Sequence, residues 1–136
     1  MLSNHSMNVD LKIDKSIKYP GYTAFSKRKC LIVLNSLSIE TLKHEVIHLK
    51  QYFNNKFHLI KYLFSDRYRL KSELEAYSEK IEKLSLDEIE DFSRTLKYQY
   101  SLSINLCDIN LEIFKLRNKL QVQNKNMNIV VSIGDF

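Results

Sequence analysis

Glycine and proline are nearly missing from this chain: two glycines and one proline in 136 residues. Few positions can adopt positive φ cheaply, so tight hairpins are a minor device and helices are expected to dominate. Tryptophan is absent and cysteine occurs only twice, at Cys30 and Cys107, without a CxxC pattern. That excludes a disulfide framework and predicts two free, buried thiols of a reducing compartment. No apolar run approaches the roughly 18 residues of a membrane span, so no membrane contact is expected. The opening MLSNHSMNVD lacks the apolar segment of a secretory signal. This points to a cytoplasmic protein, or to a virion-associated one if the gene is a phage's. Repeats, linkers and low-complexity blocks are absent as well.

What remains is an ordinary globular composition, 44% hydrophobic and 27% charged. A single domain over 1–136 with one core is expected. The net charge of +5 with a pI near 9.1 permits contacts with anions or nucleic acid but does not require them.

Three segments read as strands. In NVDLKID, Val9, Leu11 and Ile13 alternate with polar neighbours, as in a half-buried strand. KCLIVLN at 29–35 and the C-terminal MNIVVSI are short runs of β-formers. YPGY at 19–22 is the one strong turn signal. Between the strands the period is helical. Ile39, Leu42, Val46, Leu49 and Phe53 form one stripe, behind Ser38 as N-cap. A second helix is expected over 66–84, with Leu70, Leu74, Tyr77 and Ile81 on one face. Ser85 to Glu88 has the form of a capping box and opens a third helix, and Leu102 to Leu120 form a fourth. The fold class is therefore α+β: about four helices packed on a small, mostly antiparallel sheet.

Histidine is scarce, four in all, yet two of them stand in His44-Glu45-Val46-Ile47-His48. At about 100° per residue, His44 and His48 lie one turn apart on one helix face, where two neutral imidazoles can chelate zinc. Glu45 lies beside them, placed to take a proton from a zinc-bound water and pass it to a leaving amine. The histidine face is bordered by Ile47 and Tyr52, so something is expected to cover it. No glycine and third histidine follow at metzincin spacing; Gln51 and Asn54 stand there instead. His58 is read as a surface or packing residue. The third ligand must then be a carboxylate from SELEAYSE at 72–79. Glu73 and Glu75 point about 200° apart, so only one of them can face the metal. Glu75 shares a face with Glu79, which could accept a histidine N–H behind the ligands. Glu75 is thus favoured, with Glu73 as the alternative.

With HEVIHLKQ at 44–51 and SELEAYSE at 72–79, preceded by GYTAF and KCLIVLN, the chain resembles the gluzincin metallopeptidases. The likeness is to the small minimal-scaffold members of bacteria and phages, and it covers residues 21–83. It implies a zincin-like scaffold with one zinc ion on His44, His48 and Glu75. It also implies Glu45 as general base, Glu79 as the supporting acidic group, and hydrolysis of peptide bonds. A substrate peptide would pair with the exposed edge of the strand near 29–35. Tyr52, Tyr77 and Tyr22 are the candidates for donor to the developing oxyanion. Residues 85–136 have no counterpart in the resemblance.

Two other readings compete. One is a zinc-stabilised interaction module without hydrolytic activity. The other is a basic helical nucleic-acid binder using Lys27-Arg28-Lys29 and Arg67-Tyr68-Arg69-Leu70-Lys71. Acidic residues are interspersed through most of the chain, which places nucleic acid behind a peptide as partner.

Overall fold

The computed structural model describes the backbone of residues 8–26 and 29–134, and their side chains except at 25–26 and 125–134. Lys27, Arg28 and His5 lie outside the described residues. The element order is β1 (Asn8–Ile13), β2 (Gly21–Ser26), β3 (Lys29–Leu34), α1 (Ile39–Asn54), α2 (His58–Phe64), α3 (Asp66–Ala76), α4 (Ser78–Glu82), α5 (Leu86–Gln99) and α6 (Leu106–Gly134). The class is α+β, with six helices among the described residues rather than four.

Composition leads one to expect a single core, but two separate hydrophobic clusters form. The chain divides into two compact units, Met1–Leu59 and Ile60–Phe136. In the first, Cys30, Ile32, Leu34 and Leu49 are buried, with Leu42, Val46 and Phe53 packed against them. Four residues of the apolar stripe read from α1, Leu42, Val46, Leu49 and Phe53, thus face the sheet, whereas Ile39 at the first turn is exposed. In the second, Leu70, Leu74, Ile81, Leu84, Ile89, Phe92, Leu96, Ile109 and Ile113 are among the buried residues of one helical cluster.

The sheet has the order β1-β3-β2 and is mixed rather than mostly antiparallel. β1 runs parallel to β3, with Asn8 opposite Lys29 and Ile13 opposite Leu34. β2 runs antiparallel to β3, with Gly21 opposite Leu34 and Ser26 opposite Lys29. Residues 14–20 pass the Leu34 end of β3 and bring the chain from β1 on one side to β2 on the other, and β2 then returns it to β3 parallel to β1. They are tied back by Asp14 N–H to Leu34 O at 2.8 Å and by Asn35 N–H to Pro20 O at 2.9 Å. β1 is a strand as its alternation indicates, but all six of its residues are exposed, so it is not half-buried. Gly21 is required where β2 starts: a Cβ there would lie 2.8 Å from Leu34 Cδ2 and 2.9 Å from Val33 O. α1 packs on β2 and β3.

β3 is the central strand and both of its edges are hydrogen-bonded. The edge near 29–35 expected to receive a substrate peptide is therefore already filled, and the outer edges belong to β1 and β2.

Helix boundaries follow local chemistry closely. Ser38 accepts from Thr41 N–H at the start of α1, and Ser85 and Glu88 close a reciprocal capping box at α5. The helix expected over 66–84 is broken at Tyr77, whose φ and ψ are −93° and 9°. There the Ser78 hydroxyl donates to Glu75 O at 2.8 Å, a local bond that competes with the helical ladder. The segment MNIVVSI continues α6 instead of forming a strand. No glycine or proline separates it from Leu106, and helix propagation outweighs its β-propensity. Of the two free cysteines, Cys30 is buried as expected, its thiol pushed up in pKa by burial, while Cys107 is exposed.

Candidate metal centre

His44 and Glu45 are buried on α1, and His48 is half-buried. The two Nε2 atoms lie 3.1 Å apart, and the rings meet edge to face with centroids 4.7 Å apart. Two ligand atoms on a tetrahedral zinc are separated by roughly 3.3 Å, given bonds of about 2.0–2.1 Å. The spacing therefore already suits one cation held by both rings.

The tautomer is set from behind. Gln51 Oε1 lies 2.9 Å from His48 Nδ1, so Nδ1–H donates to it and Nε2 carries the lone pair. Glu79, expected for such support, is instead exposed on α4. In the sequence, Gln51 stands only as a departure from the metzincin pattern. Its position one turn after His48 is the signal that could have found it.

Glu45 is 6% exposed, and the Thr23 hydroxyl donates to its Oε2 at 2.5 Å. β2 therefore fixes the side chain read as general base. Nothing in the spacing of Thr23 and Glu45, 22 residues apart, announces this pairing.

The third ligand of the group is not the carboxylate favoured from sequence. Among the described residues, the group that could hold a metal ion is His44, His48 and Glu73, whose ligand atoms all lie within 4.8 Å of one another. Glu73 is 2% exposed, whereas Glu75 is exposed and lines a cleft of about 700 Å³ with Arg67, Leu70, Lys71 and Leu116. Glu73 is three residues after Leu70 and four before Tyr77, so it sits within the apolar stripe of α3. A carboxylate placed there is a buried one. Two nitrogens and one carboxylate oxygen are a donor set that zinc accepts.

Glu73 is surrounded by phenols. Tyr62 OH donates to Glu73 Oε2 at 2.6 Å. The Tyr100 hydroxyl lies 3.1 Å from that of Tyr77. Burial, the Glu73 charge and Tyr77 together push the Tyr100 phenol far above its ordinary pKa, so it stays a donor. Tyr77, a candidate oxyanion donor, is placed in this chain of hydroxyls with its ring 5.3 Å from that of Phe92. Tyr52 is half-buried against Phe53, and Tyr22 is exposed. His58 is buried at the start of α2 and is not part of the metal group.

The basic segment 67–71 does not present one cationic face. Arg69 turns inward to bond the Tyr62 and Tyr100 carbonyls, and Leu70 is core. No helix among the described residues is long and apolar enough to cross a membrane. No family model, curated protein or solved structure matches the chain.

Proposed function

We propose that the chain is a zinc-dependent metallopeptidase, with His44, His48 and Glu73 holding one zinc ion and Glu45 acting as general base. The observation that carries this reading is the convergence of a His-Glu-x-x-His helix and a buried carboxylate within 4.8 Å. Three protein ligands leave the open position that distinguishes a catalytic zinc from a closed structural one. Zinc bound there would act as a Lewis acid and bring a water's pKa towards neutrality.

The residues around it have separate tasks. Thr23 occupies Oε2 of Glu45, which leaves Oε1 to take a proton and return it to a leaving amine. Gln51 keeps His48 in the ligating tautomer. Because β3 is closed on both sides, the peptide is assigned to the outer edge of β2. That strand carries Thr23, and an added strand there would run beside the base.

The test is cleavage of an unfolded protein by zinc-loaded chain, read by mass spectrometry of the products. Glu45→Gln should keep stoichiometric zinc and lower cleavage by at least a hundredfold, the scale of general-base catalysis. Undiminished cleavage in Glu45→Gln would overturn the assignment of the base. Zinc binding without any cleavage by the unaltered chain would favour the non-catalytic module.

A further inference from the structure

The cleft of about 700 Å³ that Glu75 lines lies wholly within the second unit, between α3 and α6, and takes no part in the metal group. It is framed at both ends. At one end Asp66 accepts from Ser103 N–H at 2.9 Å, and Arg69 Nε donates to Tyr100 O at 3.1 Å. At the other, Arg117 Nε donates to Leu84 O at 2.7 Å, and Gln121 Nε2 donates to Glu82 O at 3.1 Å. The start of α3 is thus tied beside the start of α6, and α4 beside its later turns, so the two walls run in the same direction. α6 packs mainly on α4 and α5, which leaves the space beside α3 open.

Each wall carries a leucine ladder with a cationic ladder beside it. On α3, Leu70 and Leu74 stand one turn apart, and Arg67 and Lys71 precede them by three residues each. On α6, Leu116 and Leu120 repeat the spacing, each directly preceded by a lysine, Lys115 or Lys119. Glu75 and Glu112 complete the rim, so four cations stand against two carboxylates, and all six side chains are exposed. Among the described residues no ion pair or hydrogen bond engages any of the six. The walls decide what such a groove accepts. Both are helices with their backbone groups already bonded, so an extended peptide would find no strand edge and would leave its own N–H and C=O groups unpaired. A helix brings its backbone bonds with it. Two leucine ladders side by side form holes for the apolar side chains of a third helix, and charges flanking such a seam select the charge of the partner. From Glu112 to Leu120 the α6 wall is about 12 Å long, enough for anchors at i, i+4 and i+7. The two carboxylates on the rim count against a uniformly anionic surface such as a bilayer or nucleic acid.

We propose that the cleft between α3 and α6 is a docking groove for an amphipathic helix of a partner protein, with the helix's apolar stripe on the four leucines and predominantly acidic flanks against Arg67, Lys71, Lys115 and Lys119. The groove is independent of the metal reading and stands or falls without it.

The experiment titrates the full chain into a fluorescein-labelled peptide of about three heptads, with leucine along the seam and glutamate on both flanks, and reads anisotropy. The peptide should bind, and binding should weaken as salt is raised. The same peptide with lysine in place of each glutamate should bind about tenfold more weakly or worse. Lys71→Glu combined with Lys115→Glu leaves two cations against four carboxylates on the rim. It should invert the preference, binding the lysine peptide about tenfold better than the glutamate one. Lys15→Glu, at an exposed residue outside the cleft, should leave the preference unchanged. If the double variant fails to fold, Lys119→Glu alone should move the preference the same way. No binding of the glutamate peptide, equal binding of both peptides, or an unchanged preference in the folded double variant would overturn the proposal. Self-association of the unaltered chain in sedimentation, abolished by the double variant, would give the groove to a second copy and overturn the partner helix. Tighter binding of dodecyl phosphate than of the glutamate peptide, lost in the double variant, would make the cleft a lipid site and overturn it as well.

Discussion

At the scale of single residues, a half-buried ion pair in the second unit ties helix α3 to the loop before α6. Asp66 receives both the Ser103 N–H and the Arg69 guanidinium. The Ser103 hydrogen bonds, and then Arg69, hold its carboxyl below the ordinary value of 3.8. A carboxyl whose pKa is lowered by folding stabilises the folded state above its unfolded pKa, and that contribution is lost as pH falls through the folded value. Asp66→Asn should therefore melt below the unaltered protein at pH 7. The gap should begin to narrow below about pH 4, where the unfolded carboxyl takes up its proton, and go on narrowing as pH falls through the lower folded value. An equal gap at pH 7 and at about pH 3 would contradict the role given to the charge. The residue scale is also where the sequence was least legible. His44, Glu45 and His48 stand out because one helix turn relates them. Gln51 was legible by the same spacing. The burial of Glu73 was legible from its place between Leu70 and Tyr77 in an apolar stripe. The partners Thr23 and Tyr62 come from other elements, and no local period links them to the carboxylates they hold.

At the scale of elements, short-range chemistry was readable wherever a cap or an apolar period determined the outcome. Ser38 and Ser85 begin helices as their sequence context indicates, because each satisfies a backbone N–H that the first turn leaves open. Ser85→Ala should cost about 1 kcal/mol of unfolding free energy, measured by denaturant titration. A loss below about 0.3 kcal/mol would mean that packing of Ile89 and Phe92 alone sets the start of α5. The errors share a cause. The break at Tyr77 and the helical path of MNIVVSI were decided by competition between weak local preferences, not by any strong signal. Strand order has the same status. Nothing in β1 or β3 alone says that they pair in parallel, and β2 takes the outer position although it follows β1 in the chain.

At the scale of the whole molecule, the class α+β was legible from the scarcity of glycine and proline together with a few β-rich runs. The division into two hydrophobic clusters was not, because composition counts apolar residues without saying which of them meet. The functional account depends on one choice made at this scale: which carboxylate joins the two histidines. Counting zinc per chain by native mass spectrometry, in the unaltered protein and in Glu73→Gln and Glu75→Gln, tests that choice directly. One zinc is expected in the unaltered protein and in Glu75→Gln, and loss of zinc in Glu73→Gln. Retention in Glu73→Gln with loss in Glu75→Gln, or no zinc in any of the three, would contradict it.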